Sequence, residues 1–366
     1  MIRILSAVLL SSVVLVGTQG GPTASAQPGA PPQGSAVVLP DHRTTFRLRL
    51  PSVSNIQLVI DGRPAVPMQK EADGTWTATV GPLEPATYKY WFSVDGLAVV
   101  DPSNPSGALR IGGDRPLPWE IAHVPHGAIH QHFYQSQIGA YERDYYVYTP
   151  PGYEKSRDRY PVLYLLHGNG GASVDWITTG RVHMMLDNLL AEGKARPMLL
   201  VMPIGYGMAD YLQLPRTAAT RRESFTKFTA ALLSEMIPMV EQNYRVESSA
   251  RSRAIAGLSM GAAEALFVGL SNPDRFGAVG AFSSGQIFDL DFDSAFPSLD
   301  SEINSKTPLI RLGCGTDDDT IINNRRFRSW LTTKGVVHLA LESPGFHEWP
   351  VWRRHFLTFA PLLFRR

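Results

Sequence analysis

Two patterns of hydrophobic positions divide the chain into an N-terminal and a C-terminal region. In the first region apolar and polar residues alternate over short stretches that are separated by Gly, Pro and Asp, a pattern typical of half-buried strands. These stretches are residues 45–50, 56–60, 74–80 and 86–92. Their spacing predicts a small all-β, immunoglobulin-like sandwich over residues 37–115.

Beyond residue 116, continuous apolar runs alternate with helical stretches. Two extended segments, near 131–138 and 144–149, come first. The apolar runs that follow are 161–166, 198–202, 253–256, 276–282, 309–312 and 336–341. The helical stretches include 184–192, 225–243 and 261–271. Such alternation predicts that residues 116–366 form an α/β domain, with a mostly parallel sheet and helices on both faces.

The first 36 residues have the pattern of an export signal followed by a linker. Arg3 precedes an apolar stretch at 4–17, and an Ala-Ser-Ala segment at 24–26 resembles a cleavage site. The apolar stretch is shorter than the roughly 20 residues that a membrane-spanning helix needs. We therefore expect a signal peptide at 1–26, a flexible linker at 27–36, and a secreted or periplasmic protein without stable membrane insertion.

Charge and cysteine content narrow the classes of function. The chain has 34 basic and 33 acidic residues, so its formal net charge is only +1. This balance, and the lack of a basic run interleaved with aromatics, argues against a nucleic-acid partner. Cys314 is the only cysteine and ends an apolar run, which predicts a buried side chain rather than a reactive thiol.

The sharpest motif is Gly-Leu-Ser-Met-Gly at 257–261. It follows an apolar run and precedes an alanine-rich helix, which is the context in which the serine of a GxSxG motif acts as a nucleophile. The two glycines permit a tight turn, and the helix N-terminus favours developing negative charge. A Gly/Ser turn that arose by chance is the alternative. We predict Ser259 as a nucleophile.

A serine nucleophile needs a base, and in this fold an acid and then a histidine follow it along the chain. His338 lies in the last predicted strand, and His355 lies in a helical stretch as a surface or packing residue. His347 lies in the loop after the last strand, so we predict it as the base. The acid should follow the preceding strand, where three adjacent aspartates at 317–319 leave the choice open.

A glycine-rich turn, His-Gly-Asn-Gly-Gly at 167–171, follows an early parallel strand. Its backbone N–H groups, together with that of Met260, suit an oxyanion hole. A phosphate loop is the alternative, but no Gly-Lys-Ser/Thr follows the turn.

Histidines at 123, 126, 130 and 132 precede this turn, and two of them, His130 and His132, share one face of a strand. A solvated strand face is favoured over a metal site. The chain has no HExxH motif and too few cysteines for a thiolate zinc site. We expect neither a metal nor a cofactor.

Several strings along the C-terminal region resemble a known family. They are YPVLYLLHGNGG from Tyr160, VDWITTGR from Val174, LDNLLAEGKARPMLLVMP from Leu186, GLSMG from Gly257, GCGTDD from Gly313 and GFHEWPVWRRHF from Gly345. Over residues 127–364 they resemble the esterase D-like family of esterases. That family includes feruloyl and acetyl xylan esterases, enterochelin esterases and mycolyltransferases.

The resemblance implies an α/β-hydrolase fold and a set of site residues. The catalytic residues that it implies are Ser259, Asp318 and His347. The acid is assigned to Asp318 because the family's acid lies in a Gly-x-x-Asp turn. The resemblance also implies that Asn169 and Met260 supply the oxyanion-hole amides. Within the matching strings, the predicted substrate-binding residues are Gly168, Trp176 and Trp349.

Two positions depart from the family pattern. Many relatives have Met-Pro-Asn-Gly where this chain has Met-Pro-Ile-Gly at 202–205, and Ala262 stands where glycine is frequent. The N-terminal region is similar to early-set domains related to carbohydrate-binding family 48. Its aromatic residues are candidates either for sugar platforms or for the sandwich core. These residues are Trp76, Tyr88, Tyr90 and Trp91.

Motifs and resemblance together predict a secreted serine carboxylic ester hydrolase that acts through an acyl-enzyme. The expected substrates are feruloyl or acetyl esters, carried by plant cell-wall polysaccharide. One alternative is an enterochelin-type siderophore esterase or an acyltransferase. The alternative from another class is a carbohydrate-binding protein with a silent hydrolase scaffold.

Overall fold

The computed structural model describes residues 35–284 and 291–365. The predicted signal peptide at 1–26 and residues 27–34 of the predicted linker lie outside the described residues. Ala36, the last residue of that linker, begins the first strand. All described residues belong to one compact unit that starts at Ser35.

The N-terminal region consists of antiparallel strands. These are β1 (Ala36–Val38), β2 (Thr44–Arg49), β3 (Ile56–Ile60), β4 (Val66–Pro67), β5 (Gln69–Lys70), β6 (Thr75–Val80), β7 (Ala86–Val94), β8 (Leu97–Val99) and β9 (Ala108–Ile111). One sheet has the order β1-β2-β6-β5, and the other has the order β4-β3-β7-β8 with β9 paired to β7. The prediction of an all-β N-terminal region is confirmed.

Alternation of polar and apolar residues explains why these strands pair as two sheets over one core. Along β2 and β7 every second side chain is buried, as expected when one face of each strand meets a core. The Phe46 and Tyr90 rings meet edge to face with centroids 4.9 Å apart. Trp76 and Tyr88 are also buried, so these aromatics belong to the core, whereas Trp91 is half-buried.

The C-terminal region is built on one large sheet. Its strands are β10 (Ala128–Gln135), β11 (Glu142–Thr149), β12 (Val162–Leu166), β13 (Leu199–Pro203), β14 (Arg253–Leu258), β15 (Ala278–Phe282), β16 (Leu309–Gly315) and β17 (Leu339–Ser343). Their order within the described residues is β10-β11-β13-β12-β14-β15-β16-β17. Only the pairs β10–β11 and β11–β13 of this sheet are antiparallel.

The central strands of this sheet are buried along their whole length because both faces of the sheet are covered. The α-helices are α1 (Asp175–Thr178), α2 (Val182–Ala191), α3 (Ala218–Ala231), α4 (Ile237–Asn243), α5 (Met260–Ser271), α6 (Phe292–Ala295), α7 (Ile303–Lys306), α8 (Ile321–Thr333) and α9 (Trp349–Phe359). A π-helical turn, Leu232–Met236, joins α3 to α4. The predicted fold class, an α/β-hydrolase sheet preceded by an all-β region, is confirmed.

The predicted start of the last strand is wrong. The apolar run at 336–341 predicted a strand that contains His338, whereas β17 begins at Leu339, after that histidine. Val336 instead follows the C-terminal end of α8, and its N–H donates to the Leu331 carbonyl of that helix at 3.0 Å.

The N-terminal sheets share a hydrophobic core with one face of the large sheet. Residues of β2, β3 and β7 pack in the same buried cluster as side chains of α2 and α9. Arg353 on α9, which is 1% exposed, crosses this junction. It donates to the Thr87 carbonyl of β7 at 2.9 Å and to the Gly180 carbonyl before α2 at 3.2 Å.

None of the helices described here is both long and apolar enough to cross a membrane.

Candidate active site

Ser259 lies in a sharp turn between β14 and α5. Its φ of 54° and ψ of −116° are unusual for a residue other than glycine, and such strain is often found at functional sites. A Cβ at Gly257 would lie 2.4 Å from the Gly261 carbonyl oxygen, and one at Gly261 would lie 2.3 Å from the His167 carbonyl oxygen. The turn therefore requires both glycines, and it leaves Ser259 partly exposed.

Three distant segments of the chain place their side chains in line. The Ser259 hydroxyl lies 2.8 Å from His347 Nε2. His347 Nδ1 lies 2.9 Å from one carboxylate oxygen of Asp318 and 3.1 Å from the other. This is the hydrogen-bonded series of nucleophile, base and orienting acid that acyl transfer requires.

The positions of these residues follow from the sheet. The adjacent parallel strands β14, β15, β16 and β17 all end at the same edge, and Ser259, Asp318 and His347 come after the first, third and fourth of them. Ligands of open α/β sheets bind at the carboxyl ends of the strands. Trp352, which the sequence analysis missed, turns its ring edge toward the His347 imidazole at 5.1 Å between centroids.

The three adjacent aspartates have different surroundings, and only Asp318 contacts the imidazole. Its carboxylate also accepts hydrogen bonds from the Thr320 N–H at 2.8 Å and the Thr320 hydroxyl at 2.7 Å. Burial opposes its ionisation, but the bonds from His347 and Thr320 outweigh that effect and lower the pKa of Asp318 to about 2. Asp317 instead accepts from the Gly345 N–H at 3.2 Å, and Asp319 is exposed.

The candidate oxyanion hole lies between the glycine-rich turn and the start of α5. Leu166 is paired with Gly257 in the parallel register of β12 and β14, so the turn after β12 lies beside Ser259. A Cβ at Gly168 would lie 3.3 Å from the Cβ of Ser259. Met260 is the first residue of α5, where an N–H has no partner within its helix. Asn169 follows Gly168 and is exposed.

The His167 side chain stabilises this turn through hydrogen bonds at both ring nitrogens, a role that the sequence did not indicate. His167 is 1% exposed, and burial lowers the pKa of its imidazole. Nδ1 lies 2.7 Å from the Gly168 carbonyl, and Nε2 accepts from the Gly205 N–H at 2.8 Å. The proton is therefore on Nδ1, and the ring ties the turn after β12 to the loop after β13.

A buried acid lies behind this loop. Glu264 on α5 has no exposed surface, and neither of its carboxyl oxygens has a hydrogen-bond partner among the described residues. A Cβ at Gly205 would lie 2.9 Å from one of these oxygens. Burial raises the pKa of Glu264 well above its usual value, although the positive charge of Arg143 opposes the shift.

The three predicted substrate-binding residues have different positions. Gly168 lies against Ser259, as described above. Trp176 is completely buried, and its indole N–H donates to the Leu166 carbonyl at 2.9 Å. The prediction that Trp176 contacts substrate is wrong, because a side chain without exposed surface is part of the core. Trp349 is 6% exposed, lies edge-on to Trp176 at 5.3 Å, and stays a prediction.

The remaining histidines do not form a metal site. His355 is completely buried, packs against the Phe282 ring, and has a pKa that burial lowers to about 4. His132 stacks on Tyr145 and, like His130, is half-buried, so this face of β10 is partly open to solvent. Among the residues that the structure describes, no group of His, Cys, Asp and Glu suits a metal ion. Cys314 is buried, as predicted.

Comparisons with known proteins show which family this chain resembles. The model of a family described as "Putative esterase" matches residues 136–362. An endo-1,4-beta-xylanase/feruloyl esterase of Xylanibacter ruminicola is 30% identical over 339 residues, which are 87% of this chain and 44% of that protein. The esterase Rv1288 of Mycobacterium tuberculosis is 27% identical and aligns over 55% of this chain and 51% of its own length. The chain thus spans about half the length of these curated relatives.

Solved structures extend the comparison. A ferulic acid esterase from Anaeromyces mucronatus, solved in complex with ferulic acid, has a TM-score of 0.60 and 25% identity, covering 70% of this chain and 98% of that one. The enterobactin esterase of Shigella flexneri has a TM-score of 0.68 over 88% of this chain and 92% of its own. Because its identity is only 20%, this second likeness concerns the fold alone.

Proposed function

Because this chain belongs to the esterase family whose model matches residues 136–362, we propose that it hydrolyses carboxylic esters through an acyl-enzyme on Ser259. The observation that carries the proposal is the 2.8 Å contact between the Ser259 hydroxyl and His347 Nε2. A hydroxyl is a poor nucleophile at neutral pH unless a base at this distance can accept its proton.

The reaction has two halves. In the first, Ser259 Oγ attacks the ester carbonyl while His347 Nε2 takes the hydroxyl proton, and the amides of Met260 and Asn169 stabilise the tetrahedral oxyanion. The C–O bond to the alcohol then breaks, and His347 returns the proton to the leaving oxygen. In the second half His347 removes a proton from water as the hydroxide adds to the acyl carbon. His347 then returns this proton to Ser259 Oγ as the C–O bond to the serine breaks and the free acid leaves.

Asp318 fixes the tautomer that this cycle needs. Its ionised carboxylate accepts the Nδ1 proton of His347, so Nε2 presents its lone pair to Ser259. A neighbouring negative charge also stabilises the imidazolium that forms at each step.

For the substrate we propose feruloyl or acetyl esters of plant cell-wall polysaccharide. The similarity to a xylanase/feruloyl esterase over 87% of this chain supports this class, as does the likeness to a ferulic acid esterase. The predicted signal peptide at 1–26 fits a secreted enzyme acting on an insoluble polymer outside the cell. We further propose that residues 37–115 are an early-set domain that precedes the catalytic domain at 116–366.

The test is turnover of methyl ferulate, feruloylated xylo-oligosaccharide, p-nitrophenyl acetate and a catecholate trilactone by wild type and Ser259→Ala. We expect release of ferulate, and a fall in kcat of roughly 10⁴- to 10⁶-fold in the variant. The control is Ser329→Ala, an exposed serine on α8, which should leave kcat unchanged. Turnover in Ser259→Ala equal to wild type would refute the mechanism, and turnover of the trilactone alone would refute the substrate.

A further inference from the structure

The loop that carries His347 rests on the N-terminal sheets. The turn that follows β3, residues 61–63, reaches this loop across the junction between the two regions. A Cβ at Gly62, whose φ is +77°, would lie 2.2 Å from the His347 carbonyl oxygen. Only a glycine backbone fits this close to the carbonyl at that φ, so the turn and the histidine loop are in direct contact.

Arg63, the next residue of the turn, binds the residue that follows His347. Its Nε lies 2.8 Å and its Nη2 2.9 Å from the two carboxylate oxygens of Glu348. The pair is bidentate, which fixes orientation as well as distance. The Glu348 side chain is only 2% exposed, so this ion pair is largely removed from water.

Arg63 also contacts the residue that precedes His347. Its guanidinium lies between the Tyr88 ring of β7 and the Phe346 ring, at 5.0 Å and 5.1 Å from their centroids. These distances are those of cation–π contacts. One carboxylate oxygen of Glu348 accepts from the Phe346 N–H at 3.3 Å, so both neighbours of His347 belong to one cluster.

We infer that Arg63, which lies outside the predicted catalytic domain, is a positioning residue that holds the His347 imidazole within reach of Ser259. The inference rests on the function proposed above. Removing the guanidinium would leave the Glu348 carboxylate buried without a positive charge to pair with, which is strongly unfavourable. The carboxylate would then turn toward water, and the backbone on both sides of His347 would move with it.

The first experiment measures kcat and KM of Arg63→Ala at a temperature at which far-ultraviolet circular dichroism shows it folded. A displacement of the base by about 1 Å costs up to roughly 10²-fold, so we expect kcat to fall about 10- to 100-fold with KM nearly unchanged. The matched control is Arg43→Ala, which breaks an exposed ion pair with Asp41 in the same N-terminal region. It should retain the kcat of wild type.

The second experiment separates positioning from a general loss of stability. If the damage comes from a stranded carboxylate, neutralising that carboxylate should repair it. We expect the double variant with Arg63→Ala and Glu348→Gln to recover part of the lost kcat, and Arg63→Lys to be intermediate. A double variant that is slower than Arg63→Ala alone would overturn the inference.

The third experiment reads the imidazole itself, so it does not depend on finding a substrate. Histidine-labelled protein gives ring resonances for His347, which are assigned by comparison with His347→Gln. Arg63→Ala should shift or broaden these resonances, and Arg43→Ala should not. Wild-type ring resonances and wild-type kcat in Arg63→Ala would refute positioning by Arg63. Absence of any esterase turnover in wild type, with His347 resonances that respond to Arg63→Ala, would refute the proposed function instead.

Discussion

At the scale of single residues, three neighbouring carboxylates have three different environments. Asp318 is buried beside the imidazole, Asp317 braces the Gly345 backbone, and Asp319 faces solvent. The sequence could not separate them because all three lie in one turn and share their neighbours. What separates them is that only Asp318 contacts the His347 imidazole, 29 residues further along the chain. Only the likeness to a family pointed to Asp318 before the structure.

We predict that Asp318→Asn lowers kcat by roughly 10⁴-fold, because an amide at this position favours the wrong tautomer of His347. Asp317→Asn should have a much smaller effect through the loop that it braces, and Asp319→Asn should have none. Steady-state kinetics with one ester substrate measure all three variants. Equal losses in the three variants would show that the turn, and not one carboxylate, matters.

Glu264 connects burial to the pH dependence of stability. Its pKa in the folded protein lies well above 4.5, the usual value that we take for the unfolded chain. Above that value the unfolded chain loses a proton that the folded protein keeps, so stability falls as pH rises. At neutral pH this residue therefore makes the folded state less stable than an uncharged side chain of the same shape would.

We predict that Glu264→Gln becomes progressively more stable relative to wild type between pH 5 and pH 8. The gain cannot exceed about 1.4 kcal/mol per pH unit, the slope for one proton. Urea unfolding at several pH values measures the difference. The control is Glu223→Gln, an exposed carboxylate on α3, for which the difference from wild type should not vary with pH. A flat difference for Glu264→Gln would mean that its carboxyl is ionised in the folded state.

At the scale of helices and strands, the sequence predicts some of their ends and not others. The GxSxG turn was recognisable because tight geometry restricts which residues can form it. The start of β17 was not, because the apolar residue Val336 serves the end of α8. Gly335, at φ +69°, donates to the Thr332 carbonyl at 3.0 Å, and Val336 donates to Leu331, which is a Schellman motif. Val336, an apolar residue that follows a helix, was therefore mistaken for the first residue of the next strand.

We predict that Gly261→Ala lowers the free energy of unfolding by about 1–3 kcal/mol or more, as overpacking does elsewhere. The new methyl group would lie 2.3 Å from the His167 carbonyl oxygen and 2.7 Å from the Leu166 Cβ, neither of which can move freely. Thermal and urea unfolding measure the loss. Gly112→Ala is the control, since its methyl group would meet only the flexible end of Arg110 at 3.2 Å. Similar stability of the two variants would contradict the close approach at the elbow.

At the scale of the whole molecule, the N-terminal sheets share a hydrophobic core with one face of the large sheet. The alternating and continuous hydrophobic patterns predicted both architectures, because each pattern reflects how many faces of a strand are buried. They could not predict the junction, since contacts such as Arg63 with Glu348 join residues 285 positions apart. The division at residue 115 accordingly remains a prediction.

We predict that the described part of the chain unfolds in one cooperative transition, because side chains of β7 and α9 belong to the same buried cluster. Differential scanning calorimetry, compared with near- and far-ultraviolet circular dichroism, tests this. Coincident curves and equal calorimetric and van't Hoff enthalpies are expected. Two separate transitions would mean that the regions are independent folding units. Arg353→Met should lower the temperature of the single transition without dividing it.

The buried guanidinium of Arg353 has a practical consequence for rearranging the gene. It donates to the carbonyl oxygens of Thr87 and Gly180, which lie in different regions. If the chain were divided between these two residues, the fragment that keeps α9 would hold a buried guanidinium without one of its acceptors. A circular permutant should therefore open at a surface tip that touches nothing else. Gly193 qualifies, because it lies outside the stretch between Thr87 and Gly180 and a Cβ there would meet no atom within 4 Å. New ends placed there would keep the whole junction within one uninterrupted polypeptide.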